Sequence, residues 1–307
     1  MQMERAKTLT IYLNDAMRER AIAGKTNVFN RITAAFEMLD YQCLFKANST
    51  VNLLASAADP GYSLFHLEDP FHPRALNLRR AYYYPFWRIE ASAKRWEWTV
   101  AKEKFDPSEI DFPSARKFAD FWRDRLFGSG DGGSGGGGYI YAPLQGRLLH
   151  RRPFQAMAPL DMLKNCLVAD DRRSIHVSLH PREVYSEVEM AALRELVDRH
   201  ARLKMVSGDS TAQVRGCDYI VTQNSGIALD GYFFGKPAIL FAQIDFHHIA
   251  KNVMVSGVEH CFDNVLAGEP DYEKYLFWFL QLQSINAGRD DAEQQILHTV
   301  RINGWDV

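Results

Sequence analysis

Between Tyr139 and Ala242 five short apolar runs alternate with helix-like segments, and this alternation constrains the fold more than any other feature of the chain. The runs are Tyr139–Gln145, Ser174–His180, Leu203–Ser207, Tyr219–Thr222 and Ala238–Ala242. Between them, Met157–Leu167 and Glu187–His200 space their apolar residues at helical intervals, and a short turn runs through Val214. A further helix follows Thr222 and is closed by Gly235, with Pro237 beyond, the usual stop for a helix. Strands that alternate with helices predict a parallel, doubly wound sheet, whose ligands sit at the carboxyl ends of the strands.

The first half is less regular but of the same kind. Thr8–Leu13, Tyr41–Lys46 and Tyr62–Leu67 read as strands, and Val28–Leu39 as a helix. Ala75 to Phe105 reads as a long helical region broken near Pro85, its aromatic residues serving as core or as a stacking surface. The tail from Asp271 reads as two helices. Between the halves lies GSGDGGSGGGG, Gly128 to Gly138, which cannot pack and reads as a flexible tether, natural or inserted. The expected division is therefore an N-terminal α/β domain at 1–127, a linker at 128–138, a ligand-binding domain at 139–270 and C-terminal helices at 271–307.

With 307 residues, 47% of them hydrophobic, the chain has enough apolar mass for two cores. A formal charge of −2 gives no general attraction to nucleic acid. Four widely spaced cysteines form no disulfide framework, and the first residues show no secretory signal, so a cytoplasmic protein is expected. No stretch predicts a transmembrane segment, which leaves peripheral association with a membrane.

Two strand ends carry the candidate ligand chemistry. At the first, Pro181 stops the strand and holds His180 at the sheet edge beside Arg182; both side chains donate to phosphate, and a following helix start would add positive charge. The same residues would also make a plain turn. At the second, Asn224-Ser225-Gly226 join a strand to a helix, where free N–H groups and the Ser225 hydroxyl suit an anion. Helix capping by Asn224 or Ser225 is the compatible alternative. Asp230, one turn in, is placed to accept from ribose hydroxyls or to be a solvated charge.

The order Pro143-Leu144-Gln145, His180-Pro181 and TQNSGIALDGYFFGKPAIL resembles the bacterial capsule polysaccharide biosynthesis proteins, among them the Kdo transferases. The resemblance covers Tyr139 to Phe241. It implies two Rossmann-like domains facing a cleft, the GT-B arrangement, with C-terminal helices. It also implies a glycosyltransferase of surface polysaccharide synthesis, taking a nucleotide-sugar donor, CMP-Kdo favoured, and a glycan acceptor. On this resemblance Gln145, His180, Arg182, Asn224, Ser225, Gly226 and Asp230 bind the nucleotide. The chain departs from the family at Leu179, often Lys there, and at Asp230-Gly231, often Glu-Ala.

Sugar transfer also needs a group to take the acceptor proton. The first half offers Asp15 at a strand end, His66, Glu68, Asp69 and His72 in HLEDPFHP, and Glu90. Taken singly each of these reads more readily as structural, and as a group His66 to His72 is the strongest catalytic candidate. H-x-E-D-x-x-H is not a metal-ligand spacing, His247-His248 adds nothing regular, and no metal or cofactor is expected. The competing readings are a nucleotide-sugar epimerase or hydrolase on the same architecture, and an inactive relative that binds a glycan or a partner.

Overall fold

The computed structural model describes residues 7–129 and 136–307. The centre of the glycine run, on which the tether expectation falls, lies outside the described residues. Five strands precede that run: β1 (Thr8–Leu13), β2 (Gln42–Ala47), β3 (Tyr62–His66), β4 (Ala75–Arg80) and β5 (Phe86–Glu90). Six follow it: β6 (Tyr139–Leu144), β7 (Ser174–Leu179), β8 (Leu203–Met205), β9 (Tyr219–Thr222), β10 (Ala238–Leu240) and β11 (Lys251–Asn252). The tail adds β12 (Ile285–Asn286). Contacts divide the chain into two units, Met1–Glu103 with Phe279–Val307, and Lys104–Trp278.

The first unit holds a sheet in the order β12-β5-β4-β3-β1-β2, with β2, β1, β3 and β4 parallel, β5 antiparallel to β4, and β12 antiparallel to β5. Alternation explains its core. Leu9, Ile11 and Leu13 of β1 pack with Val28, Phe29, Ile32 and Phe36 of the helix Asn27–Glu37. On that helix the apolar residues recur at helical spacing and form one stripe.

The helix expected from Ala75 to Phe105 is not there. β4 and β5 form an antiparallel pair instead, followed by a 3-10 turn at Arg95–Glu97 and a short helix at Thr99–Lys102. The reason is a period of two: Leu76 and Leu78 enter the same core as Trp87 and Ile89, while Asn77, Arg88 and Glu90 belong to the other face. The density of aromatic residues concealed that alternation. The tail has the two helical segments expected and adds a strand between them. The helix Tyr272–Leu276 passes into a π-helical turn, then β12 pairs with β5, and the helix Ala292–Ile302 brings Ile296, Leu297 and Val300 into the first unit's core.

Gly61 opens β3 where the backbone of β1 comes close. A methyl group there would press on the Thr8 hydroxyl and lie 2.7 Å from the Thr8 carbonyl oxygen. Gly61→Ala is expected to cost about 1–3 kcal/mol, as overpacking does. Urea unfolding checks this, and a variant as stable as the parent would refute the close approach.

The second unit holds an all-parallel sheet in the order β11-β10-β9-β6-β7-β8. All five expected strands are present. β11 is an addition, two polar residues long and therefore without an apolar pattern to betray it. Chain order runs outward from β6 to β8, then crosses back to β9 and outward to β11, which is the Rossmann order. Ile140, Ala142, Ile175 and Val177 pack against Leu163 and Cys166 of the helix Pro159–Ala169 and Leu193 and Leu196 of the helix Glu187–Arg199. The chain is thus built from two Rossmann-like α/β units. Among the described residues no helix is long and apolar enough to cross a membrane.

Candidate functional site

In the second unit the reversal of strand order lies between β6 and β9, the place where sheets of this order bind their ligands. Register decides what reaches it. Leu144 of β6 pairs with Leu179 of β7, so Gln145 and His180 are the first residues past the paired ends. The Thr222 hydroxyl at the end of β9 donates to the Pro143 carbonyl at 3.0 Å, which ties the third strand end to the same edge. Gln145, His180, Asn224 and Ser225 are therefore brought together, although 79 residues separate Pro143 from Thr222.

His180 is held by its own turn. Its N–H donates to the Tyr185 hydroxyl at 2.9 Å, and its Nδ1 accepts from the Arg182 N–H at 3.2 Å. With Nδ1 accepting, the ring's N–H is on Nε2, which is then a donor. The positive helix start expected behind it is not adjacent: the next helix begins only at Glu187, and Ser186 and Glu189 close its first turn with a reciprocal capping box. The Arg182 side chain is exposed.

At the β9 end, Gly226 is the helix cap, with an ordinary right-handed backbone (φ −59°), and the helix Ile227–Tyr232 is short. Ser225 Oγ accepts from the Ile227 N–H at 3.3 Å, while Asn224 donates to the Gln243 carbonyl at 3.4 Å and does not cap. Asp230 is half-buried one turn into the helix. It is near enough to Tyr141 of β6 that its charge adds to burial in raising that phenol's pKa.

The loop after β6 escaped the sequence reading because it has no periodicity. It carries basic groups to the same edge: Arg152 donates to the Gly146 carbonyl at 2.5 Å and its N–H to Gln155 Oε1 at 2.8 Å, and Arg151 donates to the Gln155 carbonyl at 2.8 Å. Gln155, almost fully buried, locks the loop. A side chain at Gly146 would strike the Glu183 carboxylate, so one acidic group also lies over this edge.

The candidates of the first unit occupy separate settings. Asp15 is exposed at the start of the helix Asp15–Ile22, which Asn14 caps, and bonds Arg18 at 3.1 Å. His66 ends β3 and is buried, with Nδ1 unpartnered. Glu68 is exposed, and its carbonyl accepts from Asn77 at 2.8 Å. His72 shares a hydrogen bond with Ser56 Oγ at 2.9 Å and lies edge-on to Phe65 and Phe71. The Asp69 carboxylate accepts from the Ala93 N–H at 2.7 Å. Glu90 is buried and accepts from the N–H and hydroxyl of Thr99 at 3.0 and 3.1 Å, which anchors the short helix there. Among the described residues no three His, Cys, Asp or Glu side chains gather as a metal site.

Burial, then the charges of Arg79 and Arg80, push the His66 pKa down to about 4. The unfolded ring, near 6.5, takes a proton first, so this neutral His stabilises the fold above about pH 6.5 and the contribution drains away as pH falls toward 4. Up to about 3 kcal/mol should be lost across that window, and His66→Phe should flatten the slope of the urea midpoint against pH. An unchanged slope would show that His66 titrates normally.

No family model matches the chain, and no curated protein does. Solved structures do. The beta Kdo 2,7 transferase of Thermosulfurimonas dismutans KpsC is 13% identical with a TM-score of 0.56, over 96% of this chain and 99% of that one. The beta Kdo 2,4 transferase of the same protein is 10% identical with a TM-score of 0.47, over 89% and 90%. The UDP-GlcNAc 2-epimerase of Neisseria meningitidis, bound to UDP-GlcNAc, is 12% identical with a TM-score of 0.39, over 96% and 99%. At this identity the first likeness is one of fold, two Rossmann-like α/β units in one chain.

Proposed function

We propose that the chain is a glycosyltransferase that moves a sugar from a nucleotide-activated donor, a CMP-sugar such as CMP-Kdo favoured, to a glycan acceptor. The observation that supports this most is the meeting of Gln145, His180, Asn224 and Ser225 at the crossover of the second unit's sheet. Breaking the bond between sugar and phosphate leaves charge on the phosphate oxygens. His180 with Nε2 as donor, the exposed Arg182 two residues on, and Arg152, held on the Gly146 carbonyl, are the candidate donors to that charge. The Ser225 hydroxyl and Asn224 amide add neutral donors, and the half-buried Asp230 is the candidate acceptor for a ribose hydroxyl. In the first unit Asp15 and Glu68 are exposed carboxylates able to take the acceptor's proton, whereas His72 and Glu90 are already held by Ser56 and Thr99. His66, with its lowered pKa, is a weak base. The fold shared with a Kdo transferase supports the reading at the level of architecture.

Thermal-shift and calorimetric titration with CMP, UDP and GDP test it. CMP is expected to raise Tm most, since a ligand that binds only the folded state stabilises it. His180→Ala with Ser225→Ala should weaken CMP by about tenfold or more, about 1.4 kcal/mol. Unchanged affinity in that variant would remove these residues from the site, and no shift with any nucleotide would overturn the transferase reading.

A further inference from the structure

The first unit has a cavity of about 500 Å³ that none of the chemistry above uses. Its walls are β5, the segment from Leu282 to Ile285 and one face of the helix Ala292–Ile302. The volume falls within the roughly 300–1,000 Å³ common for small-ligand sites. What distinguishes it is open hydrogen-bonding capacity of both kinds. Gln295 donates to Asp291 at 3.0 Å, and its Oε1 accepts from no described residue. Asn303 donates to the carbonyls of Ile89 and Thr299, and its Oδ1 likewise accepts from no described residue. The side chains of Gln294 and His298 are exposed and bonded to no described residue.

Charge narrows the ligand. Among the described residues the wall's one Arg or Lys is Arg88, whose guanidinium is engaged by the carbonyls of Gln283 and Phe279 and lies over the Phe279 ring. The acidic groups there are Glu90 and Asp291. A phosphate or carboxylate would meet these acids without a spare cation, while a purely apolar ligand would strand the amides. Open acceptors on Gln295 and Asn303 and the donors and acceptor of the Gln294 amide, beside the exposed Ile302, suit a molecule with hydroxyls on its rim and C–H groups on its faces.

We propose that this cavity binds a short, uncharged oligosaccharide. The site stands whether or not the second unit takes a nucleotide. Saturation-transfer NMR on the full chain tests it, with di- and trisaccharides of glucose, galactose and N-acetylglucosamine, their sulfated counterparts, and CMP run in parallel. At least one neutral sugar should bind saturably, and its sulfated form about tenfold or more weaker. Gln294→Ala with His298→Ala, and separately the filling variant Gln294→Trp, should weaken that sugar by about tenfold or more, while CMP is unaffected. No saturable neutral sugar, equal binding of the sulfated form, or full affinity in both variants would each overturn the assignment. Failure of CMP alone would bear only on the proposed donor site.

Discussion

Ending the chain at Trp278 is expected to leave the first unit unfolded while the second survives. The missing segment carries Ile285, Ile296, Leu297, Val300 and Trp305, all buried among β1, β3, β4, β5 and the helix Asn27–Glu37. Each such side chain contributes roughly 1.5–3 kcal/mol by burial. Together they exceed about 7 kcal/mol, comparable with the whole stability of an ordinary domain, about 5–15 kcal/mol. The segment also removes β12 from the edge of β5 and takes Trp305 from its stack on Tyr62, with ring centroids 4.4 Å apart. Limited proteolysis with mass spectrometry should find cleavage throughout 7–103 in the truncated chain and protection of the unit Lys104–Trp278. Parent-like resistance of the early residues would show that the tail is dispensable.

Asp170→Ala is expected to be the most damaging single change in the second unit, at about 3–5 kcal/mol, as when one partner of a buried pair is removed. Asp170 Oδ2 accepts from the Tyr219 hydroxyl at 2.8 Å and from Arg173 at 2.8 Å, and Oδ1 accepts from the N–H groups of Arg172 and Arg173 at 3.0 Å each. Its side chain is only 9% exposed, and Tyr219 is buried beneath it. Alanine would strand the phenol and both main-chain donors, and leave Arg173 with Asp218 alone. Burial by itself would raise the Asp170 carboxyl, but Tyr219 and the Arg173 contacts outweigh it and hold the pKa below the ordinary carboxylate value. The stabilisation is therefore complete above roughly pH 4 and is lost as pH falls through the lower folded value. Urea unfolding should separate parent and variant widely at pH 7 and less at pH 3. A gap under about 1 kcal/mol at pH 7 would mean that the network relaxes without cost.

How far the residues alone led varied with the kind of structure. Where one period governed a run, they led well. The strands from Thr8 to His66 and from Tyr139 to Leu240 follow apolar runs that a helix could not bury, and the helices between them follow a stripe. Ala75 to Phe105 went astray because Tyr82, Tyr83, Tyr84, Phe86, Trp87, Trp96 and Trp98 look apolar at any spacing, so Leu76-Asn77-Leu78 was outvoted. β11 and β12 have two residues each, and their pairing comes from the neighbouring strand's hydrogen bonds rather than from their own composition.

The candidate site divides the same way. That His180 and Ser225 sit at strand ends is local, because Pro181 stops one strand and Thr222 ends another next to a helix. Their sharing of one edge with Gln145 is not local, since it depends on the strand order and on the register of Leu144 with Leu179. Nor could the residues tell that the Arg182 N–H holds the His180 ring, that Gln155 holds Arg151 and Arg152, or that Thr99 holds Glu90. By itself the sequence determined two α/β units and the residues that end their strands, because periodicity and chain-stopping residues act over a few positions. Only the tertiary structure decided which ends meet, how each ring and carboxylate is engaged, and that the last residues complete the first core. Those outcomes are set by packing and hydrogen bonds between segments far apart in the chain, which no local pattern encodes.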